Sequence, residues 1–304
     1  MLVVIAGPTA GGKSGLAMTL AAQLGGVIIN ADASQVYADL RVLSARPTAL
    51  DEAQAPHRLY GVVDGAVAMS AVDWAVLARG EIAAALAEGQ VPILVGGTGL
   101  YLETLLYGIA PVPEIAAAVR GEVRGLATAA AAAALAREDP VMAARLRPED
   151  RQRVLRALEV VRGTGQSLSQ WQAVREGGVR HLHDVRGLVV APGREQRRAA
   201  AAQRLAAMMA AGALDEVRRL MARQSREGLD AGLPVMKALG VGPLAAHLRG
   251  ACTLEEALAA TLAATHQYQK RQMTWLRGRF SGADWLWLDG ADAAPLITSL
   301  QTQK

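Results

Sequence analysis

What most constrains this chain is the passage over its first two dozen residues. An apolar run at residues 1–6 leads into Gly7-Pro8-Thr9-Ala10-Gly11-Gly12-Lys13-Ser14, and apolar residues then recur at helical spacing over residues 15–24. This order predicts a buried strand, a loop of the form G-x-x-x-x-G-K-[ST], and a helix. The backbone N–H groups of such a loop wrap a phosphate, and the helix N-terminus adds partial positive charge. Lys13 supplies a mobile cation, and the Ser14 hydroxyl is a candidate ligand for Mg²⁺. A glycine-rich turn with an accidental lysine is the competing reading; the complete motif and its flanks weigh against it. The chain is therefore expected to bind a polyphosphate.

A length of 304 residues supports one large domain or two modest ones. No uninterrupted apolar run is long enough to span a bilayer, and the N-terminal segment lacks the basic start and cleavage site of a signal peptide. One cysteine, Cys252, excludes an internal disulfide and a cysteine-rich zinc site. A cytoplasmic protein is expected. The net charge of +4 says little alone, but the cations are clustered. Arg145, Arg147, Arg151, Arg153, Arg156 and Arg162 crowd one segment, and residues 257–283 hold Lys270, Arg271, Arg277 and Arg279 with no acidic residue.

Further strands are predicted at residues 27–30, 91–95 and 185–190, with a final short one at 285–288, and a helix at 71–88. Strands alternating with helices imply an α/β fold, a parallel sheet flanked by helices on both faces. Ligands of such sheets gather at the carboxyl ends of the strands, which brings the phosphate loop, Asp32 and the Gly96-Gly97-Thr98-Gly99 loop to one crevice. After Gly108 the pattern changes. Pro111 and Pro113 break the chain, and helix formers dominate residues 115–137. Pro148 opens a helix over 149–162 closed by Gly163, and a short helix follows at 167–174. The organisation expected is a P-loop core begun by residues 1–110, a helical insertion at 111–178, and a second part of the core at 179–304 with C-terminal helices at 194–212, 214–224, 235–248 and 254–277.

Most P-loop proteins are NTPases or kinases, whose companion strand ends in an aspartate that holds Mg²⁺ through water. Here the strand at 91–95 ends in Gly96-Gly97-Thr98. Glycine admits a close ligand and Thr98 offers a hydroxyl, so the site suits holding a phosphate better than activating water. Asp32 closes the second strand across the crevice. It can act as general base, water-mediated metal ligand, or acceptor for a nucleophile; a helix N-cap is the structural alternative. Ser34, Gln35 and Tyr37 beside it suit the reading of a base edge.

These segments resemble the tRNA dimethylallyltransferase family, bacterial type. The resemblance rests on the phosphate loop, on Asn30-Ala31-Asp32-Ala33-Ser34-Gln35-Val36-Tyr37, Arg46-Pro47, Pro56-His57 and Gly96-Gly97-Thr98-Gly99-Leu100-Tyr101, then on Gln152-Arg153-Val154-Leu155-Arg156-Ala157-Leu158-Glu159 and Lys270-Arg271-Gln272-Met273-Thr274-Trp275-Leu276-Arg277. It implies transfer of a dimethylallyl group from dimethylallyl pyrophosphate to N6 of adenine 37 beside the tRNA anticodon. It implies that the loop binds pyrophosphate with Mg²⁺, that Asp32 faces the adenine amine, and that Thr98 and an arginine of Glu216-Val217-Arg218-Arg219, taken as Arg218, hold pyrophosphate. By the same resemblance Asp32, Ala33, Ser34, Gln35, Thr98, Arg120, Gln152, Arg153, Val154, Leu155, Arg156, Lys270, Arg271 and Arg277 contact the tRNA anticodon stem-loop. A monomer is expected. Tyr268, Met273, Trp275 and Leu276 read as core residues, and His57 falls near the crevice.

The chain departs from the family pattern at Gly11 and Ala33, where serine is usual, in residues 39–47, and at Gly240-Val241-Gly242, which lacks the usual aromatic and cation. It also lacks the zinc finger of many eukaryotic members. Two other readings share the phosphate loop: prenyl transfer to free AMP, which needs no RNA-binding arm, and an ATP-dependent small-molecule kinase.

Overall fold

The structure, a computed structural model, describes residues 1–282 and 284–290. In chain order its elements are β1 (Leu2–Ala6), α1 (Lys13–Leu24), β2 (Gly26–Asn30), α2 (Ala49–Gln54), β3 (His57–Arg58), α3 (Ala71–Ala87), β4 (Val91–Gly96), α4 (Gly99–Tyr107), α5 (Ala117–Gly125), α6 (Thr128–Glu138), α7 (Pro140–Ala143), α8 (Arg151–Thr164), α9 (Leu168–Trp171), β5 (Val185–Val190), α10 (Arg194–Ala210), α11 (Ala213–Glu227), α12 (Val241–Leu248), α13 (Leu254–Arg279) and β6 (Trp285–Leu288). The strands form one parallel sheet in the order β3-β2-β4-β1-β5-β6. This is the expected α/β arrangement. Every residue of β1 and β2 is buried, which matches continuous apolar runs covered on both faces.

The chain divides into two compact units, Met1–Leu105 with the chain from Arg180 onward, and Leu106–Val179. The first unit holds the sheet. Val3, Ile5, Ile28, Ile93, Val95, Leu188 and Val190 pack there against Leu16 and Leu20 of α1. Burying a leucine side chain of this kind contributes about 2 kcal/mol, so α1 is anchored mainly by that face. The second unit is helical, and its core is built from Val123, Ala131, Ala134, Leu135, Met142, Val154, Ala157 and Leu158. Residues 291–304 of the expected last segment lie outside the described residues.

Several predicted boundaries need correction. The helical run over 115–137 is two helices, because Leu126 and Ala127 take extended conformations between α5 and α6. Gly163 does not close α8. It lies within the helix, where a Cβ would come 2.8 Å from Ile115, and the left-handed residue that ends the helix is Gly165 with φ 73°. The helix expected at 235–248 is a 3-10 turn at Pro234–Lys237 followed by α12, with Gly240 between them at φ 90°. Short elements β3 and α2 carry too few residues to show a period, and the sequence pattern missed both.

Candidate active site

The phosphate loop joins β1 to α1. Gly12, at φ 90° and ψ 4°, is the left-handed residue from which α1 starts, and Ala10 is also left-handed at φ 55°. Gly11 N–H donates to Pro8 O at 3.1 Å, closing the turn, and Lys13 Nζ donates to the same carbonyl at 2.7 Å. The loop opens toward a concave surface lined by Ala10, Gly11, Gly12, Lys13, Ser14 and Arg204.

A second cleft in the same unit shares residues with this one. Its lining includes Thr9, Ala10, Asp32, Ser34, Leu43, Ser44, Arg204, Leu205, Met208, Leu239 and Tyr268. The two share Ala10 and Arg204, and Thr9 and Ala10 of the phosphate loop line the second cleft together with Asp32. Asp32 sits where β2 ends. Its Oδ1 accepts the Ser34 N–H at 2.9 Å and the Ser34 hydroxyl at 2.7 Å, while its own N–H donates to Asn30 Oδ1 at 2.8 Å. The carboxylate is thus fixed in direction by its own loop.

The charges respond to one another. Burial lowers Lys13 to about 8, the Asp32 carboxylate opposes that shift, and Arg204 adds to it. Burial also lowers Arg204, again against Asp32. The phenols of Tyr60 and Tyr268 are pushed up by burial, with Asp32 contributing to both, so each stays neutral. Two cations and one carboxylate in partly dry surroundings can hold an anion on one side and a polar neutral group on the other.

The helix α13 fastens the loops that frame the cleft. Gln272 accepts the Thr9 N–H at 2.9 Å and donates to Gly97 O at 2.9 Å. Gln269 donates to Thr9 O at 3.0 Å and to Arg197 O at 3.2 Å. Gly97 must be glycine here, since a Cβ would stand 2.2 Å from Gln272 Nε2 and 2.8 Å from Gly7 O. Thr98 ties its loop to that of Asp32: its hydroxyl accepts the Ala33 N–H at 2.9 Å and its N–H donates to Ala31 O at 3.3 Å.

Other expected residues fall in different places. Arg218 does not line the cleft. It is exposed on α11 and pairs with Asp215, one helical turn away. The arginine in the cleft is Arg204 of α10, whose Nη1 lies 3.5 Å from Thr9 Oγ1 and whose Nη2 donates to Ser44 O at 3.2 Å. The sequence reading missed it because α10 carries several arginines and one face of it looks like any other solvated helix. Tyr268, expected in the core, lines the cleft instead. Gln35 spends its side-chain N–H groups on the Ser44 and Ala45 carbonyls, at 2.9 and 2.8 Å. His57 lines a separate cavity beside Ser14, together with Arg46, Asp51 and Tyr60.

In the helical unit, Val154 is 1% exposed and belongs to the core, so an RNA contact from its side chain is excluded. Leu155 packs partly against the same core. Arg151 donates to Leu126 O at 2.6 Å and Arg124 O at 2.8 Å, capping the end of α5. Gln152, Arg153 and Arg156 are exposed or half-exposed, and Arg120 pairs loosely with Glu114 at 3.4 Å. In the first unit Lys270, Arg271 and Arg277 are exposed, and Arg271 lies over the Tyr268 ring at 5.6 Å.

A parallel sheet whose first strand runs through G-x-x-x-x-G-K-S into a helix places the protein in the P-loop α/β class. Within that class, the family model described as IPP transferase matches residues 35–279, more than half of the chain. The protein belongs to the IPP transferase family. It is 57% identical over 277 residues to the tRNA dimethylallyltransferase of Sphingopyxis alaskensis, spanning 91% of this chain and 89% of that protein. With the tRNA dimethylallyltransferase of Rhodospirillum rubrum it shares 54% identity over 280 residues, 91% of this chain and 85% of that protein. Among solved structures it resembles a eukaryotic dimethylallyltransferase acting on tRNA, with TM-score 0.84 and 25% identity, covering 99% of this chain and 77% of the other. It also resembles the full-length tRNA isopentenylpyrophosphate transferase of Bacillus halodurans, with TM-score 0.69 and 28% identity, covering 99% and 94%.

Proposed function

We propose that the protein transfers a dimethylallyl group from dimethylallyl pyrophosphate to N6 of adenine 37 in tRNA, releasing pyrophosphate. The observation that carries this reading is the shared cleft: Asp32 lines it together with Thr9 and Ala10 of the phosphate loop, and Arg204 lines both this cleft and the opening at Lys13. The relatives named above supply the RNA acceptor.

In the reaction the allylic C1–O bond breaks and its electron pair leaves with pyrophosphate, while the N6 lone pair forms a bond to C1. Negative charge grows on the leaving group. Lys13, Arg204, the loop N–H groups and the start of α1 stabilise it where it develops. The N6 amine becomes acidic only as its new bond forms. Asp32, with Oδ1 held by Ser34, offers Oδ2 to accept or orient that proton late in the step. Leu43, Leu205, Met208 and Leu239 surround the five-carbon group with apolar surface and keep water from the allylic centre. A base inside an anticodon loop must leave its stack to reach Asp32.

Prenyl-pyrophosphate transferases of this family generally work with a divalent metal, and Mg²⁺ is the ion proposed here. The Ser14 hydroxyl, on the lining of the phosphate-loop opening, would be the protein's ligand to such an ion, an oxygen donor of the hard kind Mg²⁺ prefers. Held there, a divalent ion would neutralise charge on the pyrophosphate. The exposed Arg153 and Arg156 of the helical unit and Lys270, Arg271 and Arg277 of α13 are the proposed phosphate contacts of the stem-loop. No helix among the described residues is long and apolar enough to cross a membrane. A cytoplasmic setting is proposed from the tRNA acceptor itself.

The test uses labelled dimethylallyl pyrophosphate with unmodified tRNA, with AMP, or with neither. Label in tRNA is expected. Label in AMP alone would move the protein to adenylate prenylation, and ATP consumption without prenyl transfer would make it a kinase.

A further inference from the structure

The segment Glu216-Val217-Arg218-Arg219 turns its acid inward. Glu216, in the first turn of α11, is only 4% exposed. Its Oε1 accepts the N–H groups of Arg41 at 2.6 Å and Val42 at 2.9 Å, and its Oε2 accepts that of Leu43 at 2.8 Å. Consecutive N–H groups converging on one carboxylate form an anion nest, here filled by a side chain more than 170 residues away in sequence.

The nest leads directly into the cleft wall, since Leu43 and Ser44 both line the cleft. The Ser44 carbonyl accepts Arg204 Nη2 at 3.2 Å and Gln35 Nε2 at 2.9 Å. Ala45 holds a left-handed conformation at φ 53°, a cost that surrounding contacts must sustain. The turn is closed on itself by Ala45 N–H to Val42 O and Arg46 N–H to Arg41 O, both 2.9 Å. Glu216 itself does not line the cleft. The carboxylate therefore fixes residues 41–43, residues 41–43 fix Ser44, and Ser44 aims the guanidinium of Arg204.

We infer that Glu216 is a positioning residue for the prenyl donor: it anchors the 41–46 turn so that Arg204 is held ready for pyrophosphate. This rests on the reading of the cleft as the donor site. The amide of Glu216→Gln keeps one acceptor but points N–H groups at a backbone N–H, so the nest is lost with little change in size.

The experiment measures donor KM, tRNA dissociation constant and melting temperature for wild type, Glu216→Gln, Arg204→Ala and the double variant. Glu216→Gln is expected to raise donor KM about tenfold or more while tRNA affinity stays within about twofold. In the Arg204→Ala background the same change should add little, since its route of action is gone. A folded Glu216→Gln with unchanged donor KM, or penalties that simply add in the double variant, overturns the inference. Glu216→Asp keeps the charge one methylene short, and is the second variant if the glutamine does not fold. Failure of both to fold makes Glu216 a folding residue and also overturns the inference. A wild-type enzyme that prenylates no tRNA would instead sink the functional reading, a result separable from either.

Discussion

Gln272 holds Thr9 from the far end of the chain: its Oε1 accepts the Thr9 N–H at 2.9 Å, and its Nε2 donates to Gly97 O at 2.9 Å. One side chain thus sets the spacing between the phosphate loop and the loop after β4. Gln272 is 5% exposed, so water replaces these bonds poorly. Gln272→Ala should destabilise the first unit by about 1–3 kcal/mol. It should also weaken donor binding more than tRNA binding, because Thr9 belongs to the phosphate loop. Thermal melting and donor titration check both. A variant that melts early yet binds donor normally would reduce Gln272 to a structural bond.

Arg204 and Arg218 separate the cleft from the surface. Arg204 lines both openings, whereas Arg218 is exposed and pairs with Asp215. Loss of a cation aimed at developing charge commonly costs on the order of a hundredfold in turnover. Arg204→Ala should show a loss of that order in kcat/KM for the donor. Arg218→Ala should stay within about twofold, as an exposed i,i+3 pair is worth only a few tenths of a kcal/mol. Steady-state kinetics with the donor varied decide it, and the reverse ranking would reinstate Arg218.

In its proposed role at the donor site, Lys13 carries a pH dependence with a definite sign. Burial lowers it from 10.5 to about 8. Between these values the unfolded chain holds a proton that the folded chain lacks, so this group makes stability rise with pH there. Below about 8 the folded protein carries the full cost of the charge, on the order of 3 kcal/mol. Lys13→Met should therefore melt a few degrees above wild type at pH 7 without ligand, while losing donor affinity. Bound pyrophosphate favours the ammonium. Donor affinity should then fall as pH rises through about 8, approaching tenfold per pH unit, with proton uptake on binding. Lys13→Arg, always charged, should lack that break. Calorimetry in buffers of different ionisation enthalpy reads the uptake directly; equal affinity at pH 7 and pH 9.5 would contradict it.

The sheet and the phosphate loop were legible because local patterns encode them. Apolar strands, the left-handed Gly12 and the Lys13-Ser14 pair sit within a few residues of one another. The place of Asp32 on the cleft was legible for the same reason, at the end of a strand beside Ser34. Arg204, Glu216, Gln269, Gln272 and Tyr268 were not, since their roles depend on contacts across 160 residues or more and no local period marks them. The family resemblance points to the segment that holds Arg218 but carries no side-chain direction: on α11 the neighbouring Glu216 is buried and Arg218 is exposed. Val154 misled in the opposite sense. It stands within a run of exposed residues yet faces the core, as the helical period of α8 demands.

That same period divides the arginines of α8 between two jobs. Arg151 caps the end of α5 through the carbonyls of Leu126 and Arg124. Arg153 is 75% exposed and pairs with Asp150 at 3.5 Å. Arg151→Ala leaves those helix-end carbonyls to water and should lower the stability of the helical unit by about 1 kcal/mol with a modest effect on RNA. Arg153→Glu should leave stability nearly unchanged, because an exposed pair contributes little. It should weaken tRNA binding severalfold and flatten its dependence on salt, since a released counterion is lost with each phosphate contact. Donor affinity should be untouched. Filter binding of tRNA over a salt series, alongside donor titration, tests the split. An unchanged salt slope for Arg153→Glu would remove that face of α8 from the RNA interface.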